Sequence, residues 1–313
     1  MIVQRTVIGS LPKLSDDLAT SIKQAVKLQL KYRIHMISDG EQRYDMIEYF
    51  KQIPGIESSE KGVFIINKIR PPKNLEILYK MVDYLRTQKI LNKLKAEADV
   101  KVSITGPITL GVTLAAKGLK HYRSILDETL YHDLSDALIP LTVELLRKDA
   151  FVQIDEPGVS AGFIGPSMAE AVLTQFTDSL HLSSTDFQKL SLHICGDLTR
   201  IHDLAETLER VRIPTLSLAF SGEREKNNYR LPLERILDSF QKKVGFGCIA
   251  VSPQSVDTVD GVTEIKKRIG DAKERLGDER IRYVHPDCGL RGTSLEVTES
   301  IFNNLMHATE GEL

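Results

Sequence analysis

The stretch Leu190-Ser191-Leu192-His193-Ile194-Cys195-Gly196-Asp197 joins a short apolar run to a polar turn, and residues 198–210 then carry apolar side chains at helical spacing. Similar runs occur at 3–8, 34–38, 101–105, 151–155, 190–193, 215–218, 244–251 and 281–284, eight in all. Stretches of helical period separate or follow them at 15–33, 75–96, 127–148, 166–179, 198–210, 233–241, 262–276 and 294–306. Ser15-Asp16-Asp17 and Thr293-Ser294 supply start signals for the first and last. Eight strands, each followed by a helix, predict an α/β fold of the closed parallel kind, a (β/α)8 TIM barrel. The alternation runs through residues 1–313 without a composition break, so one domain is expected, with an insertion after strand 2 over about residues 39–100. That insertion should hold a short helix, an extra hairpin near 63–69 and the long helix after Pro71-Pro72.

A chain of 313 residues with 42% hydrophobic content can bury a core of this size. Its 41 basic and 43 acidic residues nearly cancel, which gives no footprint for nucleic acid or an anionic membrane. The N-terminal Met1-Ile2-Val3-Gln4-Arg5 lacks a signal-peptide pattern, and no window reads as a membrane span, so a cytoplasmic protein acting on small molecules is expected. Three cysteines form no disulfide framework.

In a strand, residues i and i+2 point to one side, so His193-x-Cys195 can present two ligands to one point. Cys288, in His285-Pro286-Asp287-Cys288-Gly289, ends the eighth run. In a barrel, both runs end at the face that carries the active site. One imidazole and two thiolates suit zinc and leave a position open for substrate. The alternative is a buried histidine with inert thiols, the reading given to Cys248 inside its apolar run. Asp155-Glu156 is either a paired carboxylate at the mouth or a cap for the next helix. Glu41 and Asp45 are either site residues or a solvated helix start, and Gly106-Pro107 reads as a turn. His35, His121, His132, His181, His202 and His307 read as surface or structural.

Together these motifs resemble the C-terminal catalytic barrel of the cobalamin-independent methionine synthase family. The matching pieces, in family order, are Ile8-Gly9-Ser10-Leu11-Pro12, residues 39–50 (DGEQRYDMIEYF), Thr105-Gly106-Pro107-Ile108-Thr109, Gln153-Ile154-Asp155-Glu156-Pro157, His193-Ile194-Cys195 and Pro286-Asp287-Cys288-Gly289-Leu290. The resemblance spans essentially the whole chain and points to the short single-barrel form of archaea and some bacteria, without the family's N-terminal barrel. It implies a zinc ion that binds and activates the thiol of homocysteine for methyl transfer, giving methionine. By position, His193, Cys195 and Cys288 would hold zinc, while Ile8, Gly9, Ser10, Glu41 and Asp155 would hold the amino acid.

The pattern is broken at four places. Ala219 stands where the family has its fourth ligand, a glutamate, so either Glu223 substitutes or the ion has three protein ligands. Val251 replaces the proton-donor histidine, Thr113 a tryptophan that stacks the pterin, and Ala161 a carboxylate. Loss of a general acid, worth about 10²–10⁴-fold, implies a donor whose leaving group needs no proton: a methylcorrinoid, free or on a corrinoid protein. Transfer to another thiol such as coenzyme M is the alternative enzyme reading, which the ammonium-binding Glu41 and Asp155 oppose. A non-catalytic zinc-dependent thiol-binding protein is the alternative outside enzymes. A related-barrel decarboxylase lacks the basic cluster it would need.

Overall fold

The computed structural model describes residues 4–60 and 62–310, so Val3 of the first run lies outside the described residues. In chain order the elements are β1 (Gln4–Arg5), α1 (Leu18–Lys31), β2 (Met36–Ile37), β3 (Ile56–Ser59), β4 (Gly62–Ile65), α2 (Tyr79–Leu94), β5 (Asp99–Thr105), α3 (Pro107–Lys117) and α4 (Glu128–Arg147). There follow β6 (Phe151–Asp155), α5 (Pro157–Ser160), α6 (Pro166–Asp178), α7 (Ser184–Phe187), β7 (Leu190–Ile194), α8 (Leu204–Arg210), β8 (Thr215–Ala219), α9 (Leu233–Asp238), β9 (Lys243–Ile249), α10 (Val262–Leu276), β10 (Ile281–Pro286) and α11 (Leu295–Thr309).

Eight strands pair in the order β1-β10-β9-β8-β7-β6-β5-β2, parallel throughout. A parallel bridge between Thr6 and Met36 joins the two ends, so the sheet closes on itself as the expected TIM barrel. Closure rests on the shortest strands, β1 and β2, two residues each. The antiparallel hairpin β3–β4 lies in the insertion, a few residues before the predicted place.

Two-residue alternation sorts the strands into an outer apolar face and an inner polar one. Val102, Ile104, Val152, Ile154, Leu192, Ile194, Leu216 and Leu218 belong to the buried apolar core with the helices. Their neighbours Lys101, Gln153, His193, Ser217, Tyr283 and His285 are buried polar residues of the interior. The interior is hydrogen-bonded rather than filled with branched aliphatics: Lys101 Nζ donates to Gln153 Oε1 (2.8 Å), and Gln153 Nε2 donates to Ile8 O (2.9 Å) and Asp155 Oδ1 (2.7 Å). This polar column leads to the C-terminal mouth.

Asp17 and Ser294 cap α1 and α11 as their positions suggest. Gly106-Pro107 differs from expectation: it opens α3, with Pro107 at the first helical position, where the missing N–H costs nothing. The predicted helix at 198–210 is interrupted, a 3₁₀ turn at Leu198–Arg200 preceding α8, with Asp203 left-handed at φ 62°.

Candidate metal centre

β7 carries His193 on its inner face and delivers Cys195 just past its end, while β10 runs to Pro286 and delivers Cys288 two residues on. The potential ligand atoms of these three residues all lie within 4.8 Å of one another. The sixth and eighth strands are tied beside them by Asp287, whose carboxylate accepts N–H bonds from Phe220 (3.0 Å), Ser221 (2.9 Å) and Gly222 (2.6 Å). Gly289 lets the last loop close on the first, because a Cβ there would meet Ser10 Oγ at 2.2 Å. Leu290 N–H donates to Ser10 O (2.8 Å) across the same contact.

His193 is oriented by its neighbours. Its Nδ1 lies 3.0 Å from Ser217 O, an atom that can only accept, which assigns the ring proton to Nδ1. Ser217 Oγ donates to His285 Nε2 (2.9 Å), and His285 Nδ1 donates to Pro286 O (2.8 Å). Burial lowers the His285 pKa to about 3, so this ring is neutral and structural. His193 Nε2 is left buried with a lone pair and no hydrogen-bond partner. A metal-ligating histidine has this arrangement, one nitrogen on a backbone carbonyl and the other toward the ion.

The neighbouring Cys195 thiol holds Cys288 well below the ordinary thiol range, and Cys195 is raised correspondingly. Cys248, by contrast, is fully buried, its S–H on His285 O, and belongs to the core.

A cavity of about 200 Å³ opens beside the three donors. Ile8, Gly9, Ser10, Glu41 and Asp155, the five residues nominated from sequence, all line it together with His193, Cys195 and Cys288. Its volume lies below the ~300–1,000 Å³ of sites for drug-sized ligands, and suits a small amino acid. Burial raises the Asp155 carboxyl to about 7, opposed by the nearby His193, the Gln153 amide and Lys101. Glu156 points elsewhere: it accepts from Ile108 N (2.9 Å), Thr109 N (2.7 Å) and Thr109 Oγ1 (2.6 Å), capping α3 rather than the helix that follows it. Asp155 thus lines the cavity as the first reading had it, while the expected cap on the following helix is not made by either acid.

Glu223, offered from the sequence as a possible fourth ligand, lies away from the three donors. It is exposed and lines neither this cavity nor the adjoining cleft of about 80 Å³. The loop carboxylate in that cleft is Glu225, half-buried, together with Cys195, Ala219, Val251 and Cys288. Sequence reasoning also missed Met46 and Arg291, which line the cavity, and Lys80, which pairs with Glu41. Arg291 directly follows the Pro286–Leu290 motif, the one signal that pointed toward it. A larger cavity, about 580 Å³, lies by the N-terminal ends of β7, β8 and β9, where Thr177, His181, Arg212 and Phe240 are among its lining residues.

The catalytic-domain model of the cobalamin-independent synthases matches residues 4–311. The chain belongs to the cobalamin-independent methionine synthase family. It is therefore an enzyme of the methyltransferase class. A methionine synthase of Methanocaldococcus jannaschii is 29% identical over 306 residues, covering 95% of this chain and 90% of the relative. One from Methanothermobacter marburgensis is 30% identical over 294 residues, covering 92% of this chain and 87% of the relative. The fold is similar to that of a B12-independent methionine synthase from Shewanella, solved with selenomethionine, at a TM-score of 0.73 and 19% identity over 99% of this chain and 97% of that one. Against this family frame, the barrel, its order of motifs and a donor set able to hold a metal are established for the chain. Among the described residues no helix is long and apolar enough to cross a membrane.

Proposed function

We propose that this protein methylates the thiol of homocysteine to form methionine at a zinc ion held by His193, Cys195 and Cys288. The observation that carries the reading is His193 Nε2, buried without a partner, in a group whose other two ligand atoms are the Cys195 and Cys288 sulfurs, all within 4.8 Å of one another. A nitrogen and two sulfurs form a zinc-type set with a position left for substrate. When bound, zinc supplies a Lewis acid that lowers the pKa of a thiol ligand.

The chain's own residues do the rest. Backbone and side-chain atoms of Ile8, Gly9 and Ser10 border the place for the amino acid's main chain, and Glu41 and Asp155 supply acceptors for its ammonium. Burial of Asp155 keeps water away from that contact and makes its charge dependent on a cationic ligand. Glu225 borders the two thiols where Ala219 offers no ligand, and is the protein's candidate for a fourth donor in place of Glu223.

The family's independence of cobalamin makes a methylated folate or pterin the default donor. A methylcorrinoid is the second reading, favoured by one observation: the cleft beside the thiols is lined by Val251 and contains no imidazole to protonate a folate leaving group. A coenzyme M-type thiol gains nothing from Glu41 and Asp155 and is set aside.

The test is metal content and turnover. One equivalent of zinc is expected, lost in Cys195→Ser and Cys288→Ser, with methionine formed from homocysteine and one of two donors, methyltetrahydrofolate or methylcobalamin. Zinc retained in both variants would overturn the metal site. Homocysteine binding with proton release but no turnover of either donor would leave the non-catalytic thiol-binding reading.

A further inference from the structure

We propose that Lys80 is a specificity-determining residue of this pocket: it holds Glu41 there as one half of a buried ion pair, so that an amino-acid thiol is preferred over the same thiol lacking its amino group. The inference rests on the function proposed above and concerns a residue outside every motif of the sequence.

Lys80 is the second residue of α2, supplied by the insertion after β2. Its Nζ lies 2.6 Å from Glu41 Oε1, and the two side chains are only 3% and 8% exposed. The same Nζ sits 3.9 Å from the centroid of the Tyr49 ring, a second contact that favours the charged amine. The surroundings are otherwise mainly acidic, apart from Arg291, whose guanidinium is bonded to the Glu41 and Tyr44 carbonyls. Asp39 and Asp83 lie close by, as does Asp155 across the pocket. Arg43 does not offset Glu41, because its guanidinium is committed to Asp83 through Nε (2.7 Å) and Nη2 (2.6 Å). Tyr49 Oη donates toward Asp39 Oδ2 (3.2 Å).

A buried carboxylate among three other acids is costly unless a cation stands against it. Lys80 is that cation for Glu41, and it occupies one oxygen only. Glu41 also lines the pocket, where its second carboxylate oxygen can accept from a ligand ammonium. The backbone holds this presentation under strain: Glu41 is left-handed at φ 49°, its N–H on Asp39 Oδ1 (3.0 Å) and its carbonyl taken by Arg291 Nη2 (2.5 Å). A residue so clamped turns a change of charge into a change of affinity rather than a change of position.

Without Lys80 the buried Glu41 loses its counter-ion, and with it the arrangement that offers a carboxylate oxygen to the ammonium. A ligand with no amino group never used that partner and is indifferent to the change.

The experiment compares L-homocysteine with 4-mercaptobutanoate by calorimetry on zinc-loaded protein. Wild type should prefer homocysteine by about tenfold or more, the size of one charge-assisted hydrogen bond. Lys80→Met should bring the two affinities within about threefold of one another, with zinc content unchanged, and Lys80→Arg should restore most of the ratio. Should Lys80→Met fail to fold, Lys80→Gln, which keeps a hydrogen-bond donor beside Glu41 without the charge, should show the same collapsed ratio. A ratio retained in the variants, equal weakening of both thiols, or tighter homocysteine binding on loss of Lys80 would overturn the inference alone. Absence of homocysteine binding by zinc-loaded wild type would overturn the proposed function, and the inference with it.

Discussion

Raising the pH from 7 to 8 should tighten zinc binding about tenfold, and the size of that step comes from the opposite shifts of the two thiols. Zinc takes cysteine as thiolate, so each thiol that is protonated in the metal-free protein must release a proton on binding. Two independent thiols near the ordinary pKa of about 8.5 would release about two protons per ion, a slope of about a hundredfold per pH unit. Here Cys288 is held low by the neighbouring Cys195 thiol, while Cys195 is raised. One site proton therefore remains to be lost. Release on binding means that affinity rises with pH, by about one decade per unit. Competition with a chromophoric chelator at several pH values reads the slope, and calorimetry in buffers of different ionisation enthalpy counts the protons directly. A hundredfold step, or two protons per ion, would show that the thiols titrate independently and refute the reasoning. A flat profile would do the same from the other side.

Asp155→Asn should raise the half-saturating homocysteine concentration about tenfold to a hundredfold, while zinc occupancy stays near wild type; a larger effect on zinc than on homocysteine would remove Asp155 from the amino-acid role. Glu225→Gln should weaken zinc retention about tenfold, whereas Glu223→Gln should leave it unchanged, since Glu225 and not Glu223 borders the thiols; chelator competition ranks the two. Gly247→Ala should destabilise the fold by about 1–3 kcal/mol in urea denaturation. Its Cβ would meet Asp287 Oδ1 at 2.5 Å, Leu218 O at 2.8 Å and Ala219 Cα at 2.9 Å, two of them backbone atoms that cannot step aside.

The barrel was legible because its signals are local. Each run of apolar residues ends where hydrogen-bonded strand ends, within a few positions, as at Phe151–Asp155 and Thr215–Ala219. Helix starts were read where a side chain caps its own helix, as Asp17 and Ser294 do. The start of α3 was missed because its capping carboxylate, Glu156, comes from another strand 47 residues away, and Gly106-Pro107 alone looks like a turn. His193, Cys195 and Cys288 were legible as a set because parallel strands of a barrel all end at one face, so position in the repeat stands in for position in space.

Sequence alone determined the repeat, and with it the architecture, the three candidate metal donors and the acids of the mouth, since periodicity and motif order need no knowledge of distant contacts. Tertiary structure alone decided what each polar group faces. Glu225 rather than Glu223 borders the thiols, Glu156 caps a helix while Asp155 enters the pocket, and Lys80 reaches Glu41 across 39 positions. Those outcomes depend on side-chain direction and on which loops are tied together at the rim, through contacts such as Asp287 to the Phe220–Gly222 amides and Arg291 to Glu41 O. Such contacts join residues far apart along the chain, and their energies exist only after the barrel has closed.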